Sequence, residues 1–227
     1  MYEIQQSTWT TPRGNRASFR YRADTADWNT IQASTTEDEY RLRELDLSGW
    51  ALDIGGYVGS VSIALALDNP NLSVICVEAV PANQTLIQEN IDLNGLGDRV
   101  TLVKGAAGDG RKVAVKWGYE GDEVATHHAF VGNANNLGES TSQRLEVVSL
   151  TLADLIGDKQ IAFCKIDCEG CEYAVLQGDA LAQIERIHGE IHGIADCLPA
   201  SLPANLLATH TYERGGELPT WFEAVRR

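Results

Sequence analysis

The sequence predicts an α/β protein built on a doubly wound, mostly parallel sheet that closes in a C-terminal antiparallel hairpin. Three observations predict it. From residue 50 onward, near-continuous apolar runs of strand length alternate with helical stretches, the pattern of a parallel sheet covered on both faces. A glycine-rich turn, Asp53-Ile54-Gly55-Gly56-Tyr57-Val58-Gly59-Ser60, stands where the first such strand gives way to a helix. A carboxylate, Glu78, closes the next strand. In doubly wound sheets, ligands bind beyond the carboxyl ends of the strands, so the residues ending each strand carry the functional information.

Each element follows from its own pattern. Residues 50–54, 72–78, 100–103, 161–166 and 187–191 read as the strands, and 60–67 and 81–93 as helices. In the second helix Leu86/Asn90 and Ile87/Ile91 keep helical spacing, Pro81 suits a first turn and Gly95 a stop. Residues 1–49 form a preface expected to pack on the 50–227 domain. Within it Arg13, Arg16, Arg20 and Arg22 alternate loosely with Phe19 and Tyr21, as in a strand or hairpin. Thr36-Glu37-Asp38-Glu39 offers a capping box for a short helix reaching Leu45. The tail, from Leu206 through Gly215-Gly216 to Val225, reads as the closing hairpin. Residues 108–142 form an irregular, glycine-rich insertion whose VAVKWGY portion reads as an added strand. Long connections of this kind are commonly lids, so it is expected over the substrate site and, with the preface, to set the acceptor.

Composition narrows the function. Of 227 residues, 44% are apolar and 22% charged, which suits a packed globular core. Acids outnumber bases 32 to 18, for a net charge of −14, so bulk nucleic acid and anionic membranes are disfavoured partners. No apolar run approaches the ~20 residues of a membrane span, and the N-terminal MYEIQQSTWTTPRGNR has no apolar leader core. A cytoplasmic protein is expected. The five cysteines, Cys76, Cys164, Cys168, Cys171 and Cys197, do not look like a secreted disulfide framework, and reduced thiols are expected.

The glycine turn and Glu78 together point to a nucleoside-bearing cofactor, with Glu78 accepting from the ribose hydroxyls. A dinucleotide calls for G-x-G-x-x-G. Here Asp53 precedes the glycines, where a carboxylate would repel a phosphate but welcome the ammonium and sulfonium of S-adenosylmethionine.

ALDIGGYVGSVS, VICVEAVPAN and KIDCEGCEYAVLQG resemble, in that order, the motifs of the FkbM-type S-adenosylmethionine-dependent methyltransferases, and DTADWNTIQASTTEDEYRLREL resembles that family's entry segment. The resemblance covers residues 24–193, the third motif being the most specific. It implies a class I methyltransferase, Rossmann-like fold and O-methylation of a hydroxyl on a small molecule or sugar, N-methylation being a close variant. It places the cofactor over Asp53, Gly55, Gly56, Tyr57, Gly59, Ser60, Glu78, Ala79, Asn83, Gly105 and Ala106. Asp167, Glu169 and Glu172 fall on the acidic positions of the third motif. Cys168 and Cys171 depart from it, small apolar residues being usual there.

Asp167 ends the fourth strand, while His188, Glu190 and His192 share one face of the fifth. The expected acid–base centre is therefore Asp167 with Glu190 and His192. In the preferred version His192 is the general base and Asp167 holds its tautomer or the acceptor hydroxyl; in the other, Asp167 with Glu190 or His192 binds a divalent metal that acidifies the acceptor. Three alternatives stand beside these. Cys164, Cys168 and Cys171 have the C-x3-C-x2-C spacing of a radical S-adenosylmethionine iron–sulfur site. The four early arginines are a solvated face or grip an anionic acceptor, and His127 and His128 are solvent-facing or touch substrate. A non-catalytic cofactor-binding module is the remaining reading.

Overall fold

In a computed structural model, the described residues are 2–117, 130–132, 143–192, 204–215 and 220–227. The chain opens with an antiparallel hairpin of β1 (Ile4–Thr10) and β2 (Arg16–Arg22), followed by helix α1 (Asp27–Ser34). Then come β3 (Gly49–Ile54), α2 (Ser60–Asp68), β4 (Leu72–Glu78), α3 (Pro81–Leu93) and β5 (Val100–Lys104). Inside the insertion, β6 (Lys112–Trp117), β7 (Phe130–Gly132) and β8 (Gln143–Val148) form a separate antiparallel sheet in the order β7-β6-β8. The chain finishes with α4 (Leu152–Ile156), β9 (Ile161–Ile166), α5 (Glu172–Val175), β10 (Arg186–Ile191), α6 (Ala204–Thr209), β11 (His210–Gly215) and β12 (Thr220–Arg226).

The central sheet has the order β11-β12-β10-β9-β3-β4-β5. Pairing is parallel from β10 through β9, β3 and β4 to β5, and antiparallel where β12 meets β10 and β11. The strand order reverses at β3, which places the carboxyl ends of β3, β4 and β9 around one crevice. The predicted doubly wound sheet with its C-terminal hairpin is therefore the observed one, except that Leu206, expected to open the hairpin, lies in α6 and the first hairpin strand begins at His210.

One apolar core lies on each face. On one, Leu52, Ile54, Cys164 and Ile166 pack with Leu152, Val175 and Phe222; on the other, Ala51, Val74 and Phe163 pack with Ile63, Ile87 and the preface side chains Phe19, Tyr21 and Ile31. The preface thus covers the α2/α3 face of the sheet. Asn90 and Asn94 tie it down by bonding the backbone of Arg20 and Ser18.

The preface differs from its predicted form in one respect. The helix lies upstream, at α1, and the segment Thr36 was expected to cap is a turn ending in a 3-10 turn at Leu42–Glu44. Asp38 and Arg41 take positive φ, and the Asp38 carboxylate accepts from the N–H groups of Leu42 (2.6 Å) and Arg43 (3.2 Å). Asp38 is thus the cap, which limits the segment to one turn.

Candidate active site

The glycine turn is dictated by crowding. Gly55 has φ of +82°, and a Cβ there would collide with the backbone carbonyl of Asp167; one on Gly56 would strike Cys76 Sγ. Only glycine lets β3 and β9 approach so closely at this end. Gly59, at φ +86°, starts α2 in the left-handed conformation.

Beneath the turn lies a buried ion pair. Lys165, in an otherwise apolar strand, donates to the carbonyl of Gly55 at 2.6 Å and stands 3.5 Å from Asp53 Oδ1 and 3.9 Å from Asp167 Oδ2. Burial opposes its charge, but Asp53, Asp167 and Glu39 outweigh burial and hold the ammonium above its ordinary pKa. Asp53 Oδ2 also accepts from Ser62 at 2.6 Å. Its pKa is nonetheless raised, by burial first.

Around the crevice runs a cavity of about 360 Å³. Of the residues expected at the cofactor, Gly55, Gly56, Tyr57, Ser60, Glu78, Ala79, Asn83, Gly105 and Ala106 line it; Asp53 and Gly59 do not. Asp53 supports the turn from below, neutralised by Lys165, so the cavity's acidity comes from other residues. Glu78 is held by three donors: Tyr57 N–H (2.8 Å), Val80 N–H (2.7 Å) and Asn83 Nδ2 (3.4 Å). A carboxylate has about four acceptor positions, so Glu78 keeps capacity toward the cavity and fits a ribose diol. Burial raises its pKa, against those hydrogen bonds.

Asp167, Glu169 and Glu190 line the cavity from the β9 and β10 side, with Glu39 and Tyr40 from the preface. Tyr40 donates to Asp167 Oδ2 at 2.8 Å. His192 stands behind the cavity wall. Its Nδ1 lies 3.0 Å from Glu172 Oε1, and its Nε2 faces Glu169 (3.5 Å), Glu190 (3.7 Å) and Asp167 (3.9 Å). The predicted convergence of Asp167, Glu190 and His192 is therefore present, but the expected neutral histidine is not. Burial lowers its pKa, while the Glu172 hydrogen bond and the charges of Glu172, Glu169 and Asp167 overcome this and raise it to about 9. His192 is a cation at neutral pH, its Nδ1–H donating to Glu172, and it has no free lone pair with which to act as a base. The Glu169 carboxyl is raised as well: burial, with the charges of Asp167, Glu172 and Glu190, outweighs His192 and brings it to about 7. One ligand atom each from Asp167, Glu190 and His192 lies within 4.8 Å of the others, a spacing that a divalent cation could bridge if His192 gave up its proton.

Two cysteine expectations need correction. Cys168 and Cys171 are joined in a disulfide and are not free thiols. Cys164 is buried in β9 with its thiol pKa pushed far up by burial, so the three sulfurs do not face one site and the iron–sulfur reading fails. The turn that brings Cys168 to Cys171 has positive φ at both Glu169 and Gly170, a conformation that spacing alone does not reveal. Cys197, His127 and His128 lie outside the described residues, and no described residue of 108–148 lines the cavity.

Two of the early arginines serve the fold. Arg22 binds Asp27 through Nε and Nη2, both at 2.8 Å, and Asp27 also accepts from the Tyr57 hydroxyl, which links preface to glycine turn. Arg13 donates to the carbonyls of Leu45 and Asp68. Likewise His188 is buried, its Nδ1 2.8 Å from the Tyr40 carbonyl oxygen. Sequence reasoning missed Lys165, Tyr40 and Glu39. A lysine inside the apolar run IAFCKI was a usable signal, since a buried ammonium needs partners; nothing in the preface singled out Tyr40 or Glu39.

Sheet order, glycine turn and strand-end carboxylates define the fold of the S-adenosylmethionine-dependent methyltransferases. The chain belongs to the FkbM methyltransferase domain family, whose model matches residues 53–211. A curated relative, the O-methyltransferase imqG of Aspergillus flavus, is 31% identical over 81 residues, which is 35% of this chain and 33% of the relative. The chain thus spans about a third of that relative's length. Among solved structures, a precorrin-6y C5,15-methyltransferase from Geobacter metallireducens GS-15 is similar at 16% identity and TM-score 0.48, covering 81% of this chain and 83% of that one. The N-terminal domain of human METTL16 is similar at 12% identity and TM-score 0.44, covering 88% and 68%. At these scores the likenesses add nothing to the sheet order itself. No described helix is long and apolar enough to cross a membrane.

Proposed function

We propose that the chain methylates a hydroxyl of a small, non-anionic acceptor, with S-adenosylmethionine as donor. One observation carries this: a single cavity is lined by the glycine turn after β3, by Glu78 at the end of β4 on one side of it, and by Asp167, Glu169 and Glu190 from the β9 and β10 side. When bound, S-adenosylmethionine supplies an electrophilic sulfonium methyl. The Gly55-Gly56 backbone and Glu78 hold the nucleoside, with Asn83, Gly105 and Ala106 beside it. Asp167, fixed by Tyr40 and Lys165, orients the acceptor hydroxyl. Glu169, with a pKa of about 7, accepts the hydroxyl proton, the matched acidity that general-base catalysis favours. His192 holds the surrounding carboxylates in place as their counter-cation, which takes the place of a metal in this reading.

The acceptor's charge follows from the lining. Glu39, Glu78, Asp167, Glu169 and Glu190 face the cavity, and its one described lysine is engaged by Gly55 and Asp53. Phosphorylated or carboxylated acceptors are repelled. The test is incubation with labelled donor and hydroxylated metabolites in the presence of EDTA, followed by mass analysis. The expected product gains one methylene. Cofactor binding without turnover on any fraction supports the non-catalytic module, and turnover restored by magnesium or manganese supports the metal.

A further inference from the structure

The Cys168–Cys171 disulfide lies in the cavity wall and encloses one of the groups that this function uses. Both cysteines line the cavity, with Cα atoms 5.7 Å apart, and between them are only Glu169 and Gly170. Glu169 has φ of +54° and Gly170 of +116°. The first is a conformation that a residue with a Cβ adopts reluctantly, so something must hold it. Part of that hold is Glu172, whose carboxylate accepts from the N–H groups of Cys168 (3.1 Å) and Gly170 (3.0 Å). The disulfide is the other part. Cys76 and Cys164 are both buried and do not line the cavity.

We infer that Cys168 and Cys171 form a reversible redox site that exchanges with a dithiol and thereby sets where Glu169 stands in the cavity. The role given to Glu169 rests on the methyltransferase reading; the exchange does not. A thiolate of the dithiol attacks Sγ of Cys168, the more accessible of the pair, forming a mixed disulfide and releasing Cys171 as a thiolate. The second thiol of the dithiol then displaces Cys168. Two electrons pass to the protein, the two dithiol protons end on Cys168 and Cys171, and the reagent leaves as its own disulfide. Once open, the turn is held by Glu172 alone of the two restraints, and Glu169 is free to leave its left-handed conformation and withdraw from the acceptor.

The test uses the intact chain equilibrated with reduced dithiothreitol or with oxidised glutathione. Thiols are alkylated and mapped by mass, while hydrogen exchange is followed over residues 167–176. Reduction is expected to add labels at Cys168 and Cys171, to speed exchange of the Cys168 and Gly170 amides about tenfold or more, and to lower methyl transfer. A Cys168→Ser/Cys171→Ser variant should exchange like the reduced chain whatever the buffer. Thiols that persist at both positions under the oxidised reagent overturn the inference. So does a disulfide that opens while exchange over residues 167–176 stays unchanged. If the turn loosens on reduction but S-adenosylhomocysteine does not bind either form, the redox site stands and the methyltransferase reading falls.

Discussion

The Tyr40 hydroxyl donates to Asp167 Oδ2 at 2.8 Å and joins the N-terminal preface to the end of β9. A bond from a neutral donor to a carboxylate is worth about 1.5–3 kcal/mol, enough to fix the rotamer of Asp167 at the cavity wall. Tyr40→Phe should lower kcat for methyl transfer about tenfold and leave S-adenosylhomocysteine affinity nearly unchanged. Kinetics beside calorimetry separates the two. An unchanged kcat would show that Asp167 does not depend on the preface.

Activity should follow the ionisation of Glu169. Burial and its carboxylate neighbours bring that carboxyl to about 7, so the base form grows as pH rises through neutrality. The rate is expected to climb through a midpoint near pH 7, and Glu169→Gln to lose both that limb and about 10²–10⁴ of turnover. A flat profile across pH 6–8 in the parent would assign the proton to another acceptor.

His192 gives stability the opposite pH dependence from an ordinary paired carboxylate. Its folded pKa, raised to about 9 from an ordinary 6.5, means that the folded state binds the extra proton. The stabilisation is fully present below pH 6.5 and is lost as pH rises through about 9, and it amounts to roughly 3 kcal/mol. Thermal melts of the parent and His192→Gln should therefore differ most at pH 6 and converge above pH 9. A gap that widens with pH contradicts this sign.

Lys165 neutralises Asp53 in the floor of the site. Lys165→Met leaves that carboxylate buried without its cation, a change that costs about 3–5 kcal/mol when one partner of a buried pair is removed. Adding Asp53→Asn should recover much of the loss in urea unfolding. Equal stability of the single and double variants would mean that the pair is not coupled.

The sequence showed the central sheet well, because strands such as Leu72–Glu78 and Ile161–Ile166 are almost wholly buried and read as apolar runs. The glycine turn and Glu78 were legible for a related reason: these residues follow one another along a turn and a strand end. The surroundings of Asp167 were not. Tyr40 reaches Asp167 across 127 residues of chain, a contact created by preface packing. His192 is a cation only because four carboxylates converge on it from α5, β10 and the loop between β9 and α5, so its ordinary pKa misled. The helix of the preface was displaced because Asp38 caps a single turn, and the disulfide because two positive φ angles fold Cys168 back on Cys171.

Central to the proposed function is binding of the nucleoside of S-adenosylmethionine by Glu78 and the glycine turn. Calorimetric titration of S-adenosylhomocysteine into the parent and into Glu78→Gln tests it directly, the amide being chosen because it keeps the side-chain shape and one of the two oxygens that accept from Tyr57 and Val80, with a thermal melt confirming that the variant is folded. Saturable binding to the parent is expected, about tenfold or more weaker in the variant as a charge-assisted ribose bond is lost, with weaker binding still of NAD to the parent. Equal affinity in parent and variant, or tighter binding of NAD, would contradict a ribose-binding Glu78.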